Sequence, residues 1–441
     1  MSAAIASASS LSSSTAPVAS SSSAAAGPSS SSSDVKKLPI TPNLVSGFKP
    51  AKVFTQYVSK GTSITSASYD DFGHHCITSG EDGFMHIYDA RSGTHKSKMA
   101  SLKYGVHLAR FSHDKDHVLY ASTKENNMIR YLNLKTKSYS RFFEGHENKV
   151  VTLQMSPMND TFLSGSVDEA VRLWDVRTQK SQGHMHVRGH PVVAYDPTAK
   201  VFAVAINERS AVLLYDIRKF DQMPFLVVHL DDSAALSKIS MPPRVPIITS
   251  LTFSNDSQYL LLGTSGDAHY VIDTFSEGGQ VVARLVGHEG LERATGQSIG
   301  MVAEAGISGQ EVCWTPDGKW VLSGSADGSV FFWYIDLEEA NRNEFRNLRP
   351  RYKQAGHDGA SRVLAFNPRY AREYLSSATP PAMRASLLTS RSALLIMPTC
   401  RIHKRRGRSL VLAARSTGSS VVLLLNVKGC NLTPRGRCCR V

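Results

Sequence analysis

From about residue 48 to residue 378 the chain is a succession of short runs in which apolar and polar residues alternate, each run bounded by Gly, Asp, Asn or Ser. Val171 and Leu173 flank the polar Arg172, and Ile335 sits in a run of the same kind. A period of two over so few residues predicts short antiparallel strands rather than helices. The longest apolar run, SSVVLLLNV (419–427), is about half of what a membrane-spanning helix needs. The runs group in fours, and the groups end at Tyr88, Tyr131, Trp174 and Tyr215, roughly 40–45 residues apart, the length of a four-stranded propeller blade.

One group spells the unit out in full. Residues 144–177 read EGHENKVVTLQMSPMNDTFLSGSVDEAVRLWDVR, with Gly145-His146 before the first strand, Ser164 in the second, Asp168 four residues later and Trp174-Asp175 six residues after that. The spacings recur in 287–333, as Gly287-His288, Ser323, Asp327 and Trp333, and again in ITSGEDGFMHIYDAR as Thr78, Asp82 and Tyr88. This is the frame of a WD repeat. Further copies are read from KYGVHLARFSHDKDHVLYAS, VVAYDPTAKVFAVAINERSAVLLYDIR, ITSLTFSNDSQYLLLGTSGDAHYVID, and from Gly356-His357 through SRVLAFNPRY to YLSSA. A unit of this type cannot bury its apolar face alone, so copies must stack. The expected fold is all-β, a seven-bladed WD-repeat β-propeller holding residues 48–378 as one domain.

His146, Ser164 and Asp168 have the residue types of a hydrolytic triad. They recur with an aromatic at fixed offsets in other units, however, and an active site is not copied blade after blade. The expectation is a structural network of His146, Ser164, Asp168 and Trp174, with a second copy in His288, Ser323, Asp327 and Trp333. Such a network stabilises only if every member is satisfied. No Gly-rich phosphate loop or metal-ligand cluster remains, so neither catalysis nor a cofactor is expected.

The ends differ from the middle. Residues 1–33 are almost all Ser and Ala, too poor in apolar bulk to fold, and 1–47 reads as a disordered leader. It has neither the Arg of a mitochondrial presequence nor the continuous apolar stretch of a secretory signal. Residues 379–441 hold 12 Lys or Arg and no Asp or Glu, leaving 38 basic against 37 acidic residues elsewhere. The sequence pI of about 9.4 therefore comes from the tail, densest at RIHKRRGR (401–408), and the propeller itself is not expected to bind nucleic acid. The repeat frame also requires an acid at 380 and an aromatic at 386, where the chain has Pro380 and Ser386. Pattern, composition and charge change together beyond Ala378, as they would if an intron had been read through, and 379–441 is read as such an anomaly with a genuine divergent tail as the rival. Cys76 and Cys313 fall in expected strands and read as buried free thiols. The tail cysteines lack the spacing of a zinc site.

The stretch KYGVHLARFSHDKDHVLYASTKENNMIRYLNL, its continuation MSPMNDTF, the SQGHMHVRGHPVVAYDP run and the FDQMPF segment go beyond the general repeat. They resemble the WD-repeat subunit of the COMPASS histone H3 lysine methyltransferase complex, whose fungal form is also similar to a subunit of the cleavage and polyadenylation factor. The resemblance covers about Phe48 to Ala378. It implies a non-catalytic nuclear scaffold that helps a Set-type methyltransferase act on transcribed chromatin, with protein subunits as partners, ties to RNA polymerase II and a role in mRNA 3′-end processing. The chain departs from the family in its leader, in long loops at 231–246 and 291–310, and in lacking a closing strand after Ala378. The N-terminal run AKVFTQYV (51–58) needs that strand to complete the last blade.

A rival class rests on Trp174-Asp175-Val176-Arg177, Tyr88-Asp89-Ala90-Arg91 and Tyr215-Asp216-Ile217-Arg218, which resemble the WD-x-Arg box of cullin-type ubiquitin ligase receptors. In WD repeats that Arg often only caps the strand end. For partner binding the sequence offers Lys103, Tyr104, Lys124, Asn148, Lys149 and Arg209, all in loops expected on the face that the two insertions enlarge.

Overall fold

The computed structural model describes residues 39–55, 59, 61–220, 222–232, 247–276, 278–291, 309–335 and 345–378, and the backbone of 420–426. All of them belong to one unit, Pro39–Val441. Among them the only α-helix is α1 (Pro42–Ser46); the rest is strand and turn apart from two 3-10 turns, Asn207–Arg209 and Ile217–Lys219. The fold is an all-β propeller, as the alternating pattern requires.

Six sheets follow one another along the chain, the first four built wholly from consecutive strands. Sheet one holds β2 (Ile64–Tyr69), β3 (His75–Gly80), β4 (Phe84–Asp89) and β5 (Thr94–Ala100). Sheet two holds β6 (His107–Phe111), β7 (His117–Ala121), β8 (Ile129–Asn133) and β9 (Tyr139–Phe143). Sheet three is β10 (Val150–Met155), β11 (Thr161–Ser166), β12 (Ala170–Asp175) and β13 (Gly183–His186). Sheet four follows with β14 (Pro191–Tyr195), β15 (Val201–Ile206), β16 (Ala211–Asp216) and β17 (Leu226–His229). Sheet five has β18 (Ile248–Phe253), β19 (Tyr259–Thr264), β20 (Ala268–Asp273) and β21 (Gln280–Val286). Sheet six has β22 (Val312–Trp314), β23 (Trp320–Gly324), β24 (Ser329–Tyr334) and, after β25 (Arg346–Leu348), β26 (Tyr352–Ala355). β25 leaves its own sheet and adds a parallel fifth strand to the outer edge of β21.

The seventh sheet draws on both ends of the chain. It orders β1 (Phe48–Phe54), β29 (Ser420–Asn426), β28 (Glu373–Ala378) and β27 (Ser361–Phe366) from outside in. This corrects the expectation that no closing strand exists after Ala378. Ser420–Asn426 lies antiparallel between β28 and β1, with Ala378 opposite Ser420 and Phe48 opposite Asn426. The strand arrives far downstream of the aromatic expected at 386 and carries Leu424 opposite Tyr374, where sheet three has Trp174 opposite Phe162. SALLIMP (392–398), the other apolar run in the tail, lies outside the described residues, as do the basic run 401–408 and residues 1–38 of the leader. Residues 39–47, expected as part of that leader, are instead packed. Thr41 caps α1 by accepting from the Leu44 amide at 3.3 Å, and Ile40 and Val45 are buried beside Trp320 and Leu364.

The core lies between sheets. One cluster joins sheets three and four through Leu163, Val193 and Phe202, and another joins the last sheet to the first through Phe54, Val363, Leu375, Cys76 and Tyr88. Backbone contact between neighbouring sheets is close enough to require glycine. A β-carbon on Gly165 would lie 2.8 Å from the Pro191 carbonyl oxygen, and one on Gly324 would lie 2.1 Å from that of Ser361.

Candidate functional site

In sheet three the four expected side chains meet. His146 Nδ1 is 2.9 Å from Asp168 Oδ2, its Nε2 is 2.7 Å from Ser164 Oγ, and Trp174 Nε1 donates to the same Oγ at 2.8 Å. Every proton has a place: Trp174 N–H to Ser164, Ser164 O–H to His146, His146 Nδ1–H to the carboxylate. Asp168 also accepts from the Glu147 and Ala170 amides. Burial holds the His146 pKa below the ordinary value against the raising pull of Asp168, which fits the neutral imidazole that this chain of donors needs. Burial raises and the His146 hydrogen bond lowers the Asp168 pKa, and the net shift is downward. Ser164 is fully buried and its oxygen is already engaged by Trp174, so no substrate carbonyl can reach it. The group clamps a blade.

Sheet six does not repeat this arrangement, although the residue types do. Ser323 Oγ is 2.7 Å from Nε2 of His269, a residue of sheet five. His288, expected in that place, stacks on His269 with centroids 4.1 Å apart and turns its Nε2 to the Gly266 carbonyl at 3.1 Å. Trp333 Nε1 donates to the Val286 carbonyl, and Asp327 pairs with Lys353 at 2.7 Å. The place on Ser323 that His288 would take is occupied by His269 of the neighbouring blade, and the chain entering sheet six passes so near sheet five that a β-carbon on Gly290 would lie 2.6 Å from the Gly266 carbonyl carbon.

The other copies are partial. In the last sheet His357 Nε2 reaches Ser376 Oγ at 2.9 Å. In sheet one Thr78 and Tyr88 hold the expected register, but Asp82 is used by Ser59 and the Phe84 amide. In sheet two the register puts Leu132, not Tyr131, at the Trp174 position. There Arg130 does the clamping. Its guanidinium lies 3.5 Å over the Tyr104 ring and 5.2 and 5.0 Å from those of Tyr139 and Phe142, while its Nε donates to Ser122 at 2.8 Å.

The candidate partner residues fall into two groups. Lys103, Lys124, Asn148, Lys149 and Arg209 are exposed. Tyr104 is half-buried under Arg130 and its carbonyl accepts from the Thr123 and Lys124 amides. These loops are tied to one another. Asn127 Nδ2 donates to the Glu147 carbonyl at 2.7 Å, and Asn207 exchanges two hydrogen bonds with the Ile248 backbone. Beside Tyr104, Leu102 and Phe142 are 54% and 41% exposed, apolar surface that the repeat pattern did not mark. Gln310 is a further residue that the pattern missed. Its amide exchanges hydrogen bonds of 2.8 and 3.0 Å with the Ala67 backbone, stapling the entry of sheet six to sheet one.

Arg177 folds back on Asp175, with Nε 2.9 Å from Oδ1 and a terminal nitrogen 2.6 Å from Oδ2. The pair caps the strand end. Arg218 shares only the backbone part of this geometry, its amide donating to Asp216 at 2.9 Å.

The model of the WD domain, G-beta repeat, matches residues 137–175 and 310–334. WD repeat-containing protein 82 of Drosophila melanogaster is 34% identical over 334 residues, 76% of this chain and 93% of that protein. COMPASS component SWD2 of Saccharomyces cerevisiae is 35% identical over 332 residues, covering 75% of this chain and 93% of the yeast protein. Set1 complex component swd2 of Schizosaccharomyces pombe is 40% identical over 237 residues, 54% of this chain and 64% of its own length. A propeller of WD repeats, matched to the Drosophila and Saccharomyces proteins over 93% of their length, places the chain in the WD-repeat family of SWD2 and WD repeat-containing protein 82.

Proposed function

We propose that this chain is a non-catalytic scaffold subunit of a nuclear histone H3 lysine methyltransferase complex, linked to transcription by RNA polymerase II and acting also in mRNA 3′-end processing. The observation that carries the reading is the 35% identity to COMPASS component SWD2 across 93% of that protein. The sealed Ser164 supports it, since the residues that look most like a catalytic triad are spent on holding a blade. In this reading the seventh sheet is the seventh blade, closing the ring through β29. Partner subunits dock on the face that carries Lys103, Lys124, Asn148, Lys149 and Arg209. The rival ubiquitin ligase reading would use the WD-x-Arg arginines; Arg177 is paired with Asp175, whereas the Arg218 side chain is not held in this way, so the choice rests on the identity to SWD2 and not on this contact.

Affinity purification of the tagged full chain from nuclear extract tests the proposal. It is expected to recover a Set-type methyltransferase with its companion subunits, or cleavage and polyadenylation factors. Recovery of a cullin adaptor with neither would replace it by the ligase reading.

A further inference from the structure

We propose that His113 is a protonated clamp across sheets one, two and three, so that the face built by the turns between first and second strands is locked or released by a proton. His113 sits in the turn between β6 and β7. Its Nδ1 is 2.7 Å from Oδ2 of Asp71, in the β2–β3 turn. Its Nε2 is 3.0 Å from the Ser156 carbonyl and 3.2 Å from that of Asn159, both in sheet three. A backbone carbonyl can only accept, so Nε2 must carry hydrogen; an ionised carboxylate can only accept, so Nδ1 must carry one too. Both contacts are made at once only by the imidazolium ion.

The surroundings favour that ion. Burial lowers the His113 pKa, but the hydrogen bond and charge of Asp71 and the two carbonyls outweigh it and the net shift is upward. Asp71 is itself held from the last sheet, where Arg369 Nε donates to its carbonyl at 2.9 Å. The other charged or titratable groups of the adjoining turns are Asp70, bonded by the amide and ring of His75, and His74, bonded to the Tyr370 hydroxyl, in the β2–β3 turn; Lys115, Asp114, taken by His117 at 2.8 Å, and Asp116, taken by Lys135, on His113's own turn; and Asp160 in the β10–β11 turn. The clamp also spaces two exposed apolar side chains. Phe72, next to Asp71, is 56% exposed, and Met158, next to Asn159, is 70% exposed. A neutral imidazole has one N–H and must give up either Asp71 or the sheet-three carbonyls. Because the folded-state pKa is raised, the contribution is full below the unfolded value of about 6.5 and is lost as pH rises through the folded one.

The test is His-selective NMR on the full chain, combined with amide hydrogen exchange in residues 71–74 and 158–160 corrected for intrinsic rate. Both His113 ring nitrogens are expected to be protonated at about pH 6, with a pKa above 6.5. Exchange in both turns is expected to rise roughly two- to fivefold between about pH 6 and pH 9, the scale of a partly exposed ion pair. His113→Ala abolishes that pH dependence, and Asp71→Asn, which keeps the turn's shape, lowers the His113 pKa. A neutral His113 at about pH 6, or the same pH dependence in His113→Ala as in the native chain, would overturn the clamp.

Discussion

At the scale of single residues, the same residue types at the same offsets do two different jobs. Asp168 belongs to a buried, fully satisfied chain with His146, Ser164 and Trp174, whereas Asp327 faces Lys353, whose side chain is 55% exposed. Asp168→Ala strands a buried imidazole N–H and is expected to cost on the order of 1–3 kcal/mol. Asp327→Ala removes a solvent-screened pair and the turn hydrogen bond from the Ser329 amide, and is expected to cost less than Asp168→Ala. Denaturant unfolding of the two variants decides the matter, and equal losses would mean that the sheet-three network is no more closely held than its counterpart. The residues of the network were legible in the sequence because the offsets repeat. What the sequence hid was His269, which belongs to a different blade's frame and displaces His288 only through a contact between blades.

At the scale of elements, the strands follow from period-two alternation, and their ends from turn residues such as Asp89, Asn133, Asp175, Asp216 and Asp273, which accept hydrogen bonds from the amides two or three residues on. Packing of blade on blade was less legible, because it depends on how near two backbones come. Gly324 shows this. Its missing β-carbon makes room for the first strand of the last sheet, and the atom it would strike is a backbone oxygen that no rotamer change can move. Gly324→Ala is therefore expected to destabilise by roughly 1–3 kcal/mol, as overpacking does, measured as a lowered midpoint of thermal unfolding. An unchanged midpoint would mean that the neighbouring sheets are looser than the structure places them. β25 was not legible at all: three residues that pair in parallel with another sheet leave no periodic trace.

At the scale of the whole molecule, the repeat frame foretold the architecture but misjudged where it ends. The frame expects the last blade's third strand directly after the second, and the chain supplies it from Ser420–Asn426. Deleting 420–441 leaves β1 and β28 with unpaired edges, the kind of exposure that invites aggregation. Loss of a cooperative transition is the expected outcome, followed by circular dichroism and light scattering; an unaltered melting curve would mean that the sheet is closed by other residues. The proposed partner face was legible only as a set of loops, since exposed Lys and Arg look alike in a sequence, and the stacking of the half-buried Tyr104 ring under Arg130 left no trace there.

The proposed role has the propeller hold methyltransferase subunits on one face. It is tested most directly by purifying the tagged full chain beside the variant Lys103→Glu/Lys124→Glu/Lys149→Glu/Arg209→Glu and quantifying the recovered subunits by mass spectrometry. Since only a few interface residues carry most of the binding energy, the variant should melt like the native chain while recovering roughly tenfold less Set-type methyltransferase, a change of about 1.4 kcal/mol in binding. Equal recovery by both chains, or no methyltransferase with the native one, would contradict the account.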